Sequence, residues 1–328
     1  MNTTTVSPSI TIIICTFNRH ELLRVALDSI AGVHNPNAVP LSVVVVDNSD
    51  DSNAIPLLEG MQSGFPWPLE AIAAHPANIS VARNAGVAAA SSADIVAFID
   101  DDQKLDRGWL VAVMDAFEKH PHDVFFGKVD AQLETPERAG KTVRTLFSRQ
   151  MDAPTGHEMF AMGPNKTKVV ALATNNSIFR RATTLTDDIP FDPAFGNGGG
   201  EDFDLFCRLQ RRGRRFAWLA EARAIEHVPA SRCDPDYVAP RLYAGGQAYA
   251  LAVSINSPVP VLERWRQRLI AVIQLGLMIP VWLRHINSTP AERAEVRFRT
   301  AAILGKLSFR TLKPIYSDEK RSVEGSAS

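Results

Sequence analysis

Residues 9–16 (SITIIICT) form a short apolar run rich in β-branched side chains, the pattern of a strand buried on both faces. Leu22, Leu23, Val25, Ala26, Leu27 and Ile30 then recur at helical spacing across 18–30. The alternation returns in LSVVVVDNSDD (41–51) and again in IVAFIDDDQ (95–103). An Ala-rich helix over 82–90 precedes the second of these, and a helix near 109–119 follows it. Strands alternating with helices predict a mostly parallel α/β sheet covered on both sides. Each apolar run ends in polar groups. Ligands of open α/β sheets bind outside the carboxyl ends of the strands, so these ends are expected to share one crevice.

The stretch 121–190 is less regular, punctuated by Pro, Gly and polar residues around 134–168. VVALATNNSIFRR (169–181) has the pattern of a further strand, turning at the Asn pair. A glycine loop over 196–200 leads into EDFDLFCRLQRRG, whose acidic first turn and Arg-rich last turn complement a helix dipole. No internal repeat is visible, and neither GxGxxG nor GxxxxGKS occurs. A dinucleotide-binding Rossmann fold and a P-loop NTPase are therefore not indicated.

Charge changes the picture more than composition does. The 328 residues carry 35 basic and 36 acidic groups, a formal net charge of −1, which argues against a dedicated nucleic-acid partner. Residues 1–261 hold 23 basic and 30 acidic groups, a net of −7, whereas 262–316 hold 10 and 3, a net of +7. The body is acidic and the tail basic. The tail reads LERWRQRLIAVIQLGLMIPVWLR and then RFRTAAILGKLSFRTLK, the composition of basic amphipathic helices that lie in a lipid headgroup layer or pack on protein. Its longest apolar stretch, 269–283, has 15 residues, short of the roughly 20 that a spanning helix needs. The organisation expected is a catalytic domain over 1–257, a basic helical tail over 258–316 and a disordered end over 317–328. Cys15, Cys207 and Cys233 have no zinc or CxxC spacing, and no signal peptide is visible, so a cytoplasmic setting with reduced thiols is expected.

Three acidic clusters carry candidate chemistry. Asp100, Asp101 and Asp102 end an apolar strand, and three adjacent carboxylates call for a cation or full solvation. Hard oxygen ligands of this kind suit Mg²⁺ or Mn²⁺ held together with substrate phosphates. If the strand geometry persists, Asp100 and Asp102 point the same way. Asp47, at the end of VVVV, suits a uracil imide or a ribose hydroxyl, and equally suits an Asx turn or helix cap. Glu201 and Asp202 follow three glycines, where a carboxylate serves either as a general base or as plain helix-start electrostatics. His227, in AIEHVP, reads as a metal ligand or as a surface histidine.

In this order the segments resemble the family 2 inverting glycosyltransferases of GT-A fold. ICTFNRHELL is similar to the opening strand and helix, VVVVDNSDD to the second strand, and NISVARNAG to the third motif. FIDDD is similar to the DxD motif and GGGEDFDLFCRLQRRG to the ED motif. Within the family the set is most similar to bacterial exopolysaccharide enzymes of the succinoglycan-biosynthesis glucosyltransferase type. The resemblance covers about 9–250 and implies a mostly parallel central sheet with a C-terminal helical tail. It implies Thr16 and Asp47 at the uracil, Arg83 near the nucleotide, and Asp100 and Asp101 at the donor ribose or sugar. It further implies Asp102 on a divalent cation with His227 completing the metal site, and Asp202 as general base with Glu201 as the competing candidate.

The implied reaction moves a sugar from a UDP-sugar to a lipid-linked or glycan acceptor, peripherally at the inner face of the cytoplasmic membrane. One departure is NSDD in place of the commoner DDGS-like sequence. It keeps Asp47 and leaves its neighbours without an assigned role. A nucleotidyl or phosphoryl transferase would use the same acidic cluster, but no phosphate-gripping Gly/Lys loop is present. A sugar-nucleotide-binding protein without turnover would have no use for the full set Asp100, Asp102 and Asp202.

Overall fold

The computed structural model describes residues 7–308 and 310–315. The end expected to be disordered, 317–328, lies outside the described residues. The chain opens with β1 (Ile10–Thr16), α1 (His20–Ala31), β2 (Leu41–Asp47), α2 (Ile55–Gln62), β3 (Leu69–Ala73), α3 (Ile79–Ala89) and β4 (Ile95–Phe98). It continues with β5 (Gln103–Leu105), α4 (Trp109–Lys119), β6 (Val124–Leu133), α5 (Lys141–Leu146), β7 (Glu158–Met159), β8 (Ser177–Arg180) and α6 (Arg181–Thr184). The last third holds α7 (Glu201–Arg211), β9 (Phe216–Val228), α8 (Pro235–Ile255), α9 (Pro260–His285) and α10 (Pro290–Leu307).

The sheet runs β3-β2-β1-β4-β8-β6-β9-β5, with β7 on β9. β1 pairs in parallel with β2 and β4, and β2 with β3. Antiparallel β8 separates β4 from β6, so β6 and its parallel partner β9 run in the direction of β1. The expected α/β sheet with a C-terminal helical region is what the chain forms. The region 121–190, read as irregular, in fact supplies β6, and most of the predicted strand at 169–181 is irregular, with only Ser177–Arg180 extended. The common direction brings the carboxyl ends of β1, β2, β4 and β9 to one edge, which is what assembles the site.

Alternating side chains explain why the sheet needs cover on both faces. Ile10, Ile12, Ile14, Val43 and Val45 join one buried cluster with Leu23, Leu27 and Trp109, while Ile13, Val44 and Val46 join another with Ala82, Leu205 and Phe206. α3 is capped by Asn78, whose side chain accepts from the Ser80 amide at 2.9 Å. α7 starts after Gly200, at φ +98°, with Glu201, Asp202 and Asp204 in its first turn and Arg208 and Arg211 in its last.

A buried asparagine holds the irregular part of the β6–β9 pair. Asn176 adopts φ +48°, donates through Nδ2 to the carbonyls of Lys128 and Ala222 at 2.9 Å each, and accepts from Trp109 Nε1 at 2.8 Å. These bonds sit where the β6–β9 register shifts, between Gly127 and Lys128. Asn176→Ala strands three buried polar groups and is expected to cost about 3 kcal/mol or more. Urea unfolding measures this, and an unchanged midpoint would contradict it.

The C-terminal helices pack on the sheet domain. α10 lies along α8 at a crossing of Gly246 and Gly305, where a Cβ on Gly305 would stand 2.1 Å from the Tyr243 carbonyl oxygen. The chain then turns back, with the Lys313 amide donating to Gln247 Oε1 at 2.9 Å and the Ile315 amide to the Asn197 carbonyl at 3.0 Å. α9 extends well beyond the apolar run at 269–283. It has 26 residues, is long and apolar enough to cross a membrane by length and composition, and buries only Gln267, Ala271 and Met278.

Candidate functional site

At the carboxyl edge lies a cavity of about 370 Å³ lined by Thr16, Arg19, Asn48, Arg83, Asp100, Asp101, Asp102, Glu226, Arg232 and Arg241. Strand geometry does not persist through the three aspartates. β4 ends at Phe98, and Asp101 and Asp102 fall in a turn closed by the Gln103 amide on the Asp100 carbonyl at 3.1 Å. The turn directs all three aspartates to the cavity, rather than Asp100 and Asp102 alone. Asp101 is buried, accepting from Thr16 Oγ1 at 2.8 Å and Arg19 Nη1 at 3.1 Å. Asp102 Oδ2 takes Arg232 Nη1 at 2.9 Å and Arg19 Nη1 at 3.5 Å.

A second cavity, of about 550 Å³, abuts the first and shares Arg83, Asp100, Glu226 and Arg241 with it. Its wall also includes Arg149, Lys166, Asn175, Glu201, Asp202 and Tyr249. The two carboxylates at the start of α7 are treated differently. Glu201 is 2 % exposed and bonded to Arg83 Nη1, which ties α7 to α3 across 118 positions. Asp202 is half-buried and its Oδ1 accepts from the Phe203 amide at 2.6 Å.

Proton affinities follow this burial. Burial pushes Glu226 up to about 8, with the like charges of Asp102 and Asp100 adding to it. Burial and then Asp102 raise Asp100 to about 6, against the pull of Arg83. Burial lifts Glu201 to about 7 despite Arg83 beside it. The Cys15 thiol, on the wall of the smaller cavity, is pushed by burial to about 12 and is no thiolate at neutral pH.

Carboxylates held above their ordinary values keep protons in the fold that the unfolded chain releases earlier. Their contribution is intact at acid pH and is lost as pH rises through about 7 to 8. The melting temperature of the free protein is therefore expected to fall from about pH 5 to about pH 8, with a shallower fall in Glu226→Gln. A flat profile in the unaltered protein would overturn this.

Two sequence candidates do not reach the cavities. Asp47 is fully buried, its Oδ1 taken by the Ser49 amide at 2.8 Å and hydroxyl at 2.6 Å, its Oδ2 by the Ala54 amide at 2.7 Å. That is the turn-and-cap alternative, and its neighbour Asn48 takes the place on the cavity wall. His227 alternates with Glu226 along β9. Glu226 faces the cavity, while His227 Nε2 lies 3.0 Å from Glu134 on the other side. The metal-ligand expectation for His227 is thus corrected by strand parity.

Sequence reading missed Arg19, Asn48, Arg149, Glu226, Arg232 and Arg241. Glu226 had a signal, since it sits beside the histidine that was singled out. Arg149 had none, being a buried arginine that donates to the carbonyls of Gly127, Ala173, Asn175 and Asn176 at 2.7–3.2 Å. Among the described residues no three His, Cys, Asp or Glu side chains form a ready-made metal site. Asp100 and Asp102 nevertheless fit the way Mg²⁺ is usually held, by one or two carboxylates with phosphate oxygens completing the shell.

The mixed sheet flanked by helices, with a helical C-terminal region, is the fold of GT-A-type glycosyltransferases. Residues 11–179 match the model of "Glycosyl transferase family 2", and the chain belongs to that family. It is 29 % identical over 236 residues to succinoglycan biosynthesis protein ExoM of Rhizobium meliloti (strain 1021), covering 72 % of each chain. It is 28 % identical over 246 residues to the pre-mycofactocin glycosyltransferase of Mycobacterium tuberculosis, covering 74 % of this chain and 47 % of that one. Among solved structures, S. aureus TarS 1–349 in complex with UDP-GlcNAc aligns with a TM-score of 0.57 at 16 % identity, over 96 % of this chain and 92 % of that one. GalNAc-T7 with UDP, GalNAc and Mn²⁺ aligns with a TM-score of 0.53 at 14 % identity, over 74 % and 48 %. At these identities the structural likenesses speak for the fold alone.

Proposed function

We propose that this chain is an inverting, metal-dependent glycosyltransferase that moves a sugar from a UDP-sugar, with UDP-glucose favoured, to a hydroxyl of a lipid-linked or glycan acceptor in cell-surface polysaccharide synthesis. The observation that carries the reading is the pair of cavities meeting at Arg83, Asp100 and Glu226, one lined by the DxD aspartates and the other by Asp202. A group-transfer enzyme needs two such sites with the reacting atoms at their junction. The relative and neighbours point the same way, since ExoM is named for succinoglycan biosynthesis and TarS 1–349 was solved with UDP-GlcNAc.

On this reading the smaller cavity takes the nucleotide and the larger one the acceptor. Thr16 and Asn48 face the base, Asp47 acts through the turn that presents Asn48, and Arg19, Arg83 and Arg232 face the diphosphate. Asp100 and Asp101 meet the ribose or sugar. Asp102 would hold Mg²⁺ or Mn²⁺ with Asp100 beside it, and the ion would supply Lewis-acid neutralisation of the departing diphosphate. Asp202 takes the acceptor proton as the hydroxyl oxygen attacks the anomeric carbon from the face opposite the leaving UDP, which inverts that centre. Glu201 holds Arg83 in place behind it. Residues 1–257 carry the chemistry, and 258–316 form the tail that keeps the enzyme peripheral at the inner face of the cytoplasmic membrane.

The test is Mn²⁺-dependent UDP release across UDP-glucose, UDP-galactose, UDP-glucuronic acid and UDP-N-acetyl sugars. Release is expected with one donor well above the rest. No release from any of them, with and without added lipid-linked glycan, would sink the reading.

A further inference from the structure

A third cavity, of about 280 Å³, lies between α8, the N-terminal half of α9 and the end of α10. Among the described residues lining it are Arg264, Arg268, Lys306 and Arg310, and none is acidic. Burial and the neighbouring charge of Arg264 hold Arg268 below its ordinary value, and burial and Lys166 do the same to Lys306. Four cations gathered on one cleft offer a multivalent anion several charge-assisted bonds at once. Guanidinium forks match phosphate oxygens in particular. The cleft shares no lining residue with the cavity assigned to the nucleotide. It does share Lys306 with the cavity that holds Asp202.

The same helix supplies a second, independent feature. Leu262, Trp265, Leu269, Val272, Ile273 and Leu277 are each 55–69 % exposed and recur at helical spacing on the side of α9 opposite Gln267, Ala271 and Met278. The inward side is tied down, with Trp282 Nε1 on Thr300 Oγ1 at 2.9 Å and Lys306 Nζ on Gln274 Oε1 at 3.4 Å. An apolar face of this extent on a soluble surface marks an interaction site. Arg264, Arg266 and Arg268 at one end and Arg284 at the other suit a helix lying in the plane of an anionic bilayer.

Apolar face, cationic cleft and Asp202 cavity thus follow one another, joined through α9 and Lys306. We propose that the cleft binds the diphosphate of a lipid-linked acceptor, whose hydrocarbon stays in the bilayer under α9 and whose glycan passes Lys306 toward Asp202. This rests on the transferase reading and adds the acceptor's anchoring group to it. It commits α9 to lying on the membrane rather than crossing it, since crossing would strip its inward face from α8 and α10.

The experiment is flotation of the full-length protein with phosphatidylcholine vesicles, plain, doped with a long-chain prenyl diphosphate, or doped with phosphatidylglycerol to the same surface charge. Prenyl diphosphate is expected to tighten binding roughly tenfold more than phosphatidylglycerol, because paired charge-assisted bonds add to general attraction. Inorganic pyrophosphate should compete that preference away. Arg264→Gln/Arg268→Gln should abolish the preference, and Leu269→Gln/Leu277→Gln should weaken binding to all vesicles alike. Equal binding to the two anionic vesicles, or a preference that survives the double arginine change or excess pyrophosphate, would overturn the proposal. UDP release by the unaltered protein, measured with and without added lipid-linked glycan, scores the transferase reading separately. Release without a diphosphate preference sinks the cleft alone, and a preference without release from any donor sinks the transferase reading.

Discussion

Asp202→Asn is expected to lower sugar transfer by about 10²–10⁴-fold while leaving UDP binding intact, the span that removal of a positioned general base produces. The change is nearly isosteric, and the amide oxygen can still accept from the Phe203 amide, which Asp202 Oδ1 meets at 2.6 Å. What disappears is the ability to take a proton from the acceptor. Glu201 lines the same cavity and is the rival, but it is 2 % exposed and bonded to Arg83, whereas Asp202 is only half-buried. Initial rates of UDP release with acceptor, paired with calorimetric titration of UDP, separate the two. Normal turnover in Asp202→Asn would move the base to Glu201 or elsewhere.

The second large effect belongs to Asp102. Asp102→Asn is expected to remove the enhancement of UDP binding by Mn²⁺, a loss of about 10²–10³-fold if the ion contributes several kcal/mol at the diphosphate. The asparagine still offers an oxygen to Arg232, which lies 2.9 Å from Asp102 Oδ2, so the turn should hold its shape where Asp102→Ala would leave two guanidinium groups facing a gap. UDP titrations with and without Mn²⁺ check this. An undiminished Mn²⁺ effect in the variant would exclude Asp102 as the residue that holds the cation.

Much of the frame was legible because its signals are local. The β-branched runs at 9–16 and 41–51 and the Phe98-terminated run at 95–98 can bury both faces only inside a covered sheet. Alternation with helices then makes the sheet largely parallel. The polarity of α7 was readable from its first and last turns, and the acidic strand ends from their order. The misreadings have physical causes as well. Asp47 was ambiguous because DNSDD supports a ligand contact and an Asx turn equally, and only the positions of the Ser49 and Ala54 amides decide between them. His227 was misplaced because parity along a strand depends on which neighbour faces in, and Glu226 is the one that does.

The opening pattern by itself determined the α/β class of the protein: strands with apolar bodies and polar carboxyl ends, mostly in parallel, with acidic residues at their edge. Helical and strand periodicity are properties of neighbours in the chain, so the sequence displays them directly. The tertiary structure alone decided which charges meet. Arg83 reaches Glu201 across 118 positions, Arg232 reaches Asp102 across 130, and Lys306, more than a hundred residues from Asp202, lines both the cavity that holds Asp202 and a basic cleft. Such pairings depend on how helices of different faces close over one sheet edge, and no spacing within the chain encodes that distance.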